Sequence, residues 1–225
     1  MCSRFSCATW ALSTSPDDIF TVAAWEDENM FNMDSHKTPS VLTYNSKAEV
    51  ASWGFSLHQN GVAIKCFKLL LSEQATEELA KSRPNEHKIL QAELKKLGKE
   101  PSDVVGDYLR CLWHHVVGNI KENIGHLLWE NLNLKIILTI PTLWDHKASR
   151  MLRRSAEKAG LLERTGTLLE LVGESEAAAI GMLSEIRLPQ WGNVKVSRSY
   201  QYEVYQVGSK YFRWAIHSLF VMPEL

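Results

Sequence analysis

The sequence lacks any apolar run long enough to cross a membrane. A transmembrane helix needs about 20 consecutive apolar residues, and polar or charged side chains interrupt every apolar stretch well short of that length. A short apolar patch near the N-terminus reaches Leu12, but Asp17 and Asp18 follow too soon for a secretory signal. The sequence therefore predicts a cytoplasmic chain without a membrane partner.

An excess of charge of either sign is also missing. The chain carries 25 basic and 26 acidic side chains, which gives a formal net charge of −1. Proteins that bind nucleic acid neutralise phosphates with lysine and arginine, and many interleave aromatic side chains with them. The sequence contains no such basic stripe, so we expect no nucleic-acid partner.

Cysteines are few and widely spaced. The four cysteines, Cys2, Cys7, Cys66 and Cys111, include no CxxC pair. Zinc sites need closely spaced ligands, and small secreted scaffolds need a higher density of cysteine. We therefore expect four reduced thiols and no metal site.

A buried parallel strand pair is the clearest pattern that is present. The nearly continuous apolar run LKIILTI at 134–140 predicts a strand covered on both faces, and Pro141 stops it. A helix with one apolar face follows over 145–160, and LLELV at 168–172 predicts the next strand. A helix begins near Glu174. This order predicts a parallel βαβ unit.

Other segments give weaker signals. Helical spacing predicts a long amphipathic helix over 102–124, and charged, helix-prone residues fill 73–99. The region before SVLTY (40–44) looks irregular, and SVLTY itself predicts a strand that shares one sheet with 134–140 and 168–172. A second strand of a meander is possible over 48–57. The stretch 189–225 suggests two short strands around Gly208, and we expect this tail to be the least ordered region of the chain.

The position of Glu174 allows two interpretations. Ligands of open α/β sheets collect at the carboxyl ends of the strands, so this carboxylate could face a metal-bound water or the counter-ion of a phosphate. Alternatively, it only interacts with the macrodipole of the helix that it begins, which contributes about 0.3–1 kcal/mol. The residues alone leave both interpretations open.

Several segments together resemble a known family. They are TPSVLTY (38–44), FKLLL (67–71), YLRCLW (108–113), LTIPTLWD (138–145), SAEKAG (155–160) and LVGESEAAAI (171–180). In this order they resemble the actin-like ATPases, and most closely a divergent branch of the seventy-kilodalton heat-shock chaperone family. The resemblance implies an α/β fold of the ribonuclease H-like type: an incomplete first lobe over 1–188, with a mixed sheet flanked by helices, and an unmatched tail over 189–225.

The resemblance also implies a catalytic pair. Glu174 matches the glutamate that begins the family's Glu-Pro-x-Ala-Ala-Ala motif and helps to position a magnesium-bound water, although Ser175 replaces the proline here. Lys68 matches a lysine near the γ-phosphate. The implied cofactors are ATP and magnesium.

Three further positions follow from the same comparison. Thr9, in FSCATWAL, belongs to the remnant of the first phosphate loop and is the candidate for cofactor binding. Pro141 matches a proline that is linked to interdomain signalling in the chaperones, and Arg150 is a candidate for the arginine that accompanies it.

Both phosphate loops of the family depart from its pattern. The Asp-x-Gly-Thr-Thr loop is absent from the start of the chain, and RLPQWGNVKV stands where Asp-x-Gly-Gly-Gly-Thr is expected. Phosphate binding relies on backbone amides of glycine turns and on a metal held by carboxylates. We therefore expect a truncated, ATP-binding, chaperone-like protein with weak or no hydrolysis, or alternatively a non-catalytic interaction protein that retains the lobe fold. Its protein partner or client is not identified by the sequence.

Overall fold

The computed structural model describes residues 5–25, 36–57, 62–142, 144–185 and 218–224. It is a mixed α/β structure with two sheets. The strands are β1 Phe5–Leu12, β2 Ser15–Thr21, β3 Thr38–Pro39, β4 Val41–Tyr44, β5 Val50–Trp53, β6 Ile64–Lys65, β7 Asn133–Ile140, β8 Leu168–Gly173 and β9 Ser218–Glu224. The helices are α1 Glu73–Ser82, α2 Pro84–Leu97, α3 Pro101–Ile124, α4 His126–Asn131, α5 His146–Lys158 and α6 Glu174–Glu185, with a 3₁₀ helix at Phe67–Leu71.

The βαβ unit is confirmed. Strands β7 and β8 are parallel and in continuous register, from Lys135 opposite Leu168 to Ile140 opposite Gly173. Helix α5 connects them, and Asp145 caps it by accepting a 2.7 Å hydrogen bond from the backbone N–H of Ala148. The two parallel strands therefore end at the same edge of the sheet.

The sheet around this unit contains a strand that the sequence did not predict there. The order of its main path is β2-β1-β9-β7-β8, with β3 paired to β1. Strand β9 lies between β1 and β7, parallel to the first and antiparallel to the second. No partner for the tail over 189–225 was predicted from the sequence, but Ser218–Glu224 pairs with a strand on each side. The strands expected around Gly208 lie outside the described residues.

Two further expectations about strands are wrong. The opening region is not irregular throughout, because β1 and β2 form an antiparallel hairpin in which Trp10 lies opposite Phe20. Strand β4 does not join β7 and β8 but forms a separate three-stranded sheet with β5 and β6. The predicted pairing of β4 with β5 as a meander is confirmed.

The core lies between the large sheet and helices α3 and α5. Its buried side chains include Trp10, Val116, Ile120, Ile136 and Leu152, which come from β1, α3, β7 and α5. Helices α3 and α5 approach closely at Gly106, where a Cβ would lie 3.1 Å from the carbonyl oxygen of Ser155. Glycine permits this approach because it carries no Cβ.

Reduced cysteines and the absence of a membrane partner were also expected from the sequence. Cys66 is disulfide-bonded, so the expectation of four reduced thiols is wrong at this position, whereas Cys7 and Cys111 form no disulfide. In the part of the chain that the structure describes, no helix has both the length and the apolar character that a bilayer span requires.

Candidate functional site

The candidate site lies where β7 and β8 end together. Ile140 and Gly173, the last residues of the two strands, are opposite each other in the register. Pro141 follows the first strand and Glu174 follows the second, as the first residue of α6. The carboxyl ends of parallel strands thus bring the loop after Pro141 close to Glu174.

Lys68 reaches this edge from the 3₁₀ helix. Its ammonium group donates a 3.3 Å hydrogen bond to the backbone carbonyl oxygen of Thr139, in β7. The same group lies 5.2 Å from the centroid of the Trp144 ring, in the loop after β7, which is within the range of a cation–π interaction. Burial lowers the pKa of Lys68 to about 8, and the carboxylate of Glu174 partly opposes this change.

Glu174 is the electrostatic counterpart of Lys68. Burial raises the pKa of Glu174 to about 7, and the positive charge of Lys68 partly opposes this change. Its Oε1 atom is buried and has no hydrogen-bond partner among the described residues. Each group therefore stabilises the charged form of the other, while both lose contact with water.

The orphaned oxygen bears on the two interpretations of Glu174. A carboxylate that only caps a helix accepts hydrogen bonds from backbone N–H groups of the first turn. Glu174 Oε1 accepts none within the described residues. For this oxygen, the interpretation as a plain helix-end residue therefore depends on the longer-range interaction with the macrodipole alone. Burial raises the pKa of Glu174 and lowers that of Lys68, and an acid and a base whose pKa values are shifted toward each other are typical of sites that bind or transfer charge.

The first turn of α6 is joined to the loop after β7. The hydroxyl groups of Thr142 and Ser175 are 2.6 Å apart and share a hydrogen bond. Both side chains are exposed. Ser175, which stands where the resembling family has proline, therefore holds the loop next to Glu174 through a contact that proline cannot make.

Among the described residues, no hydrogen bond links the other predicted site residues to Lys68 or Glu174. Thr9 lies in the middle of β1, opposite Thr21 on one side and Phe220 on the other. Arg150 is exposed on α5, and Pro141 is partly buried directly after β7. Of the predicted residues, the structure thus brings Lys68 and Glu174 within electrostatic range of each other and places Pro141 at the same edge of the sheet.

The described side chains of this site offer one carboxylate to a magnesium ion. Magnesium is usually held by one or two carboxylates together with phosphate oxygens and water. Among the described residues, no group of three or more histidine, cysteine, aspartate or glutamate side chains is arranged to hold a metal ion by itself. Glu174 is the carboxylate available here, and the ammonium group of Lys68 lies within electrostatic range of it.

Sequence patterns did not identify two of the groups that shape the site. The sequence places Trp144 after Pro141, near the carboxyl end of a predicted strand, but nothing in the sequence distinguishes it from an ordinary packing residue. The role of the Thr139 carbonyl oxygen as an acceptor for Lys68 could not be predicted from the sequence. Every residue has a backbone carbonyl group, and which one accepts depends on how the chain packs.

Comparison with known proteins adds no relative to this description. No protein-family model matches the chain, and no curated protein matches it. The assignment of function therefore depends on the residues of the site and on the resemblance described above.

Proposed function

We propose that the chain is a first-lobe form of an actin-like ATPase, related to the seventy-kilodalton heat-shock chaperones, that binds ATP weakly and has little or no hydrolytic activity. The observation that carries this proposal is the buried pair of Lys68 and Glu174 at the carboxyl ends of two parallel strands. These are the two catalytic positions that the resemblance implies.

Lys68 supplies the attraction for a phosphate in this proposal. Its ammonium group is a point charge with three donors, of which Thr139 accepts one. Desolvation strengthens the interaction of such a charge with an anion. An incoming phosphate would compete with Glu174 for this charge, so the pair favours weak rather than tight binding.

In this proposal, most of the groups that normally accelerate ATP hydrolysis are missing. Phosphoryl transfer depends on positioning and on electrostatic stabilisation by metal ions and backbone amides. The two glycine-rich phosphate loops are absent from the sequence, and the described part of the chain contains no cluster of three or more side chains that could hold a metal ion by itself. Glu174 can accept a proton near neutral pH, but a general base contributes only about 10²–10⁴-fold by itself.

Titration of the purified full chain with magnesium ATP tests the proposal. Each 1.4 kcal/mol of lost interaction weakens binding about tenfold, so the loss of two phosphate loops moves the expected dissociation constant to about a millimolar or above. Nuclear magnetic resonance detects binding of this strength through amide shifts at Gly173 and Glu174. We expect Lys68→Met to abolish these shifts and the matched variant Lys65→Met, at an exposed lysine, to retain them.

An alternative function is that of a non-catalytic interaction protein that keeps the lobe fold. It is favoured by the fact that the Lys68 ammonium group already has a carbonyl acceptor, an aromatic ring and a carboxylate near it. Absence of any saturable shift up to about 10 mM magnesium ATP would select this alternative. Micromolar binding that Glu174→Ala abolishes and Glu176→Ala preserves would overturn both and indicate an active ATPase.

A further inference from the structure

A polar cavity lies near the start of β7, at the opposite end of this strand from Lys68 and Glu174. Its volume is about 560 Å³, and Leu134, near the start of β7, forms part of its wall. The other walls come from α3, from α4 and from the turn that follows α5. The side chains that line it include Arg110, Trp113, Lys121, Trp129, Leu161 and Arg164.

Two cations converge on one aromatic ring in this cavity. The Nζ atom of Lys121 lies 5.8 Å from the centroid of the Trp129 ring, and the Cζ atom of Arg164 lies 5.2 Å from it. Trp129 is buried and packs against the buried Trp113, with 6.4 Å between ring centroids. The ring attracts each cation, and both cations line the same cavity, so an anion in this cavity can interact with both.

Arg164 also has an unused donor. Its Nη1 atom is buried and has no hydrogen-bond partner within the described ranges. A buried charged donor without an acceptor is unfavourable, whereas a guanidinium bound to a carboxylate or phosphate makes short, strong hydrogen bonds. The atom therefore indicates that an acceptor belongs in this place.

The acidic side chains of the cavity do not supply that acceptor. Glu130 and Glu163 line the same space, yet neither forms an ion pair with Lys121 or Arg164 in the part of the chain that the structure describes. Arg110 is already satisfied, since it donates to Asp107 and to the carbonyl oxygen of Lys158. Lys121 and Arg164 are thus the two cations that remain for a ligand.

We propose that this cavity binds a small organic anion, with its phosphate or carboxylate group on Arg164 and Lys121 and its planar apolar part against the side chains of Trp113, Trp129 and Leu161. The volume is in the range of small-molecule pockets, which combine apolar walls with a few polar groups. This site is separate from the nucleotide site proposed above and does not depend on it.

The test uses the folded full chain and three probes of similar size. Phenyl phosphate and benzoate carry the two candidate head groups, and phenol is the neutral control. In calorimetric titrations we expect saturable binding of at least one of the two anions with a dissociation constant of a few millimolar or below, and binding of phenol at least about tenfold weaker. Comparison of the two anions identifies the head group.

Variants assign the binding to this cavity. Arg164→Met should weaken anion binding at least about tenfold, because a charge-assisted hydrogen bond is lost, and the matched variant Arg154→Met, at an exposed arginine of α5, should leave it within about twofold. If circular dichroism shows that Arg164→Met is unfolded, Lys121→Met takes its place, with an expected loss of about threefold or more. No saturable binding of either anion, or equal affinity of the wild type and the tested variant, would overturn the proposal and leave water as the acceptor for Arg164.

Discussion

The hydroxyl group of Tyr44 donates a 2.9 Å hydrogen bond to Oδ2 of Asp107, and this bond joins the small sheet to helix α3. The carboxylate is buried, with an exposed fraction of 8% for the residue. Lys99 donates to the same oxygen at 2.8 Å, and Arg110 donates to the other oxygen at 3.1 Å. Burial, together with the nearby carboxylate of Asp107, raises the pKa of Tyr44 above its usual range.

Removal of Asp107 should therefore destabilise the fold strongly. Asp107→Ala leaves two cations and a phenol without their acceptor, and breaking a buried pair of this kind costs about 3–5 kcal/mol. Tyr44→Phe removes only one neutral donor and should cost about 1 kcal/mol. Urea denaturation measures both. Equal losses for the two variants would show that the carboxylate does not organise the contact.

The central position of β9 predicts a large effect of proline in it. Val221 lies opposite Trp10 in β1 and Ile136 in β7, so Val221→Pro interrupts a strand that is paired on both sides. We expect a loss of about 3 kcal/mol or more. Ser218→Pro, at the first residue of the strand, is the control and should cost much less. Hydrogen exchange should also show backbone protection in 218–224 close to that in β7; rapid exchange of 218–224 would contradict the pairing.

Stability should depend on pH through Glu174. Its pKa in the folded chain is raised from 4.5 to about 7, so the folded state binds the proton more tightly than the unfolded state does. The resulting contribution to stability is complete below about pH 4.5 and is lost as the pH rises through about 7. Glu174→Gln should flatten this part of the profile of the free energy of unfolding, and Glu176→Gln, at an exposed position, should not. Parallel profiles for the wild type and Glu174→Gln would count against the burial of this carboxyl group.

Two glycines of α3 should respond in opposite directions to alanine. A Cβ at Gly106 would meet the backbone of Ser155 at 3.1 Å, whereas a Cβ at Gly118 would meet nothing within 4 Å. Gly106→Ala should destabilise the chain by about 1–3 kcal/mol, because α3 and α5 must separate. Gly118→Ala should stabilise it by about 0.5–1 kcal/mol through helix propensity. Thermal denaturation of the pair distinguishes close packing from propensity, and a stabilised Gly106→Ala would exclude the close approach.

The parts of the fold that could be predicted are those with a local signal. The apolar run of β7 and the helical spacing of α3 indicate the type of each element, and Pro141 marks the end of β7 and Asp145 the start of α5. The same local signal says that β4 is a strand but not which sheet receives it. Strand β9 was missed for this reason, since its partner β1 is almost the whole chain away in sequence and its other partner, β7, is also distant.

The candidate site was predictable only in part. Glu174 stands directly after a recognisable strand, so its place at the edge of the sheet followed from the order of elements. Lys68 was proposed from resemblance alone, and its contacts with Thr139 and Trp144 depend on how a 3₁₀ helix packs against β7. Packing between elements distant in sequence has no periodicity that a single sequence reveals.

The place of β9 has a consequence for the order in which the chain can fold during synthesis. The hairpin of β1 and β2 is made before β7, and the strand that lies between β1 and β7 is made only after both of them. Closing a loop of this length costs conformational entropy before any pairing repays it, and such non-local topologies fold slowly. Until β9 is made, β1 and β7 both present open strand edges, so we expect nascent chains to need protection from aggregation up to that point.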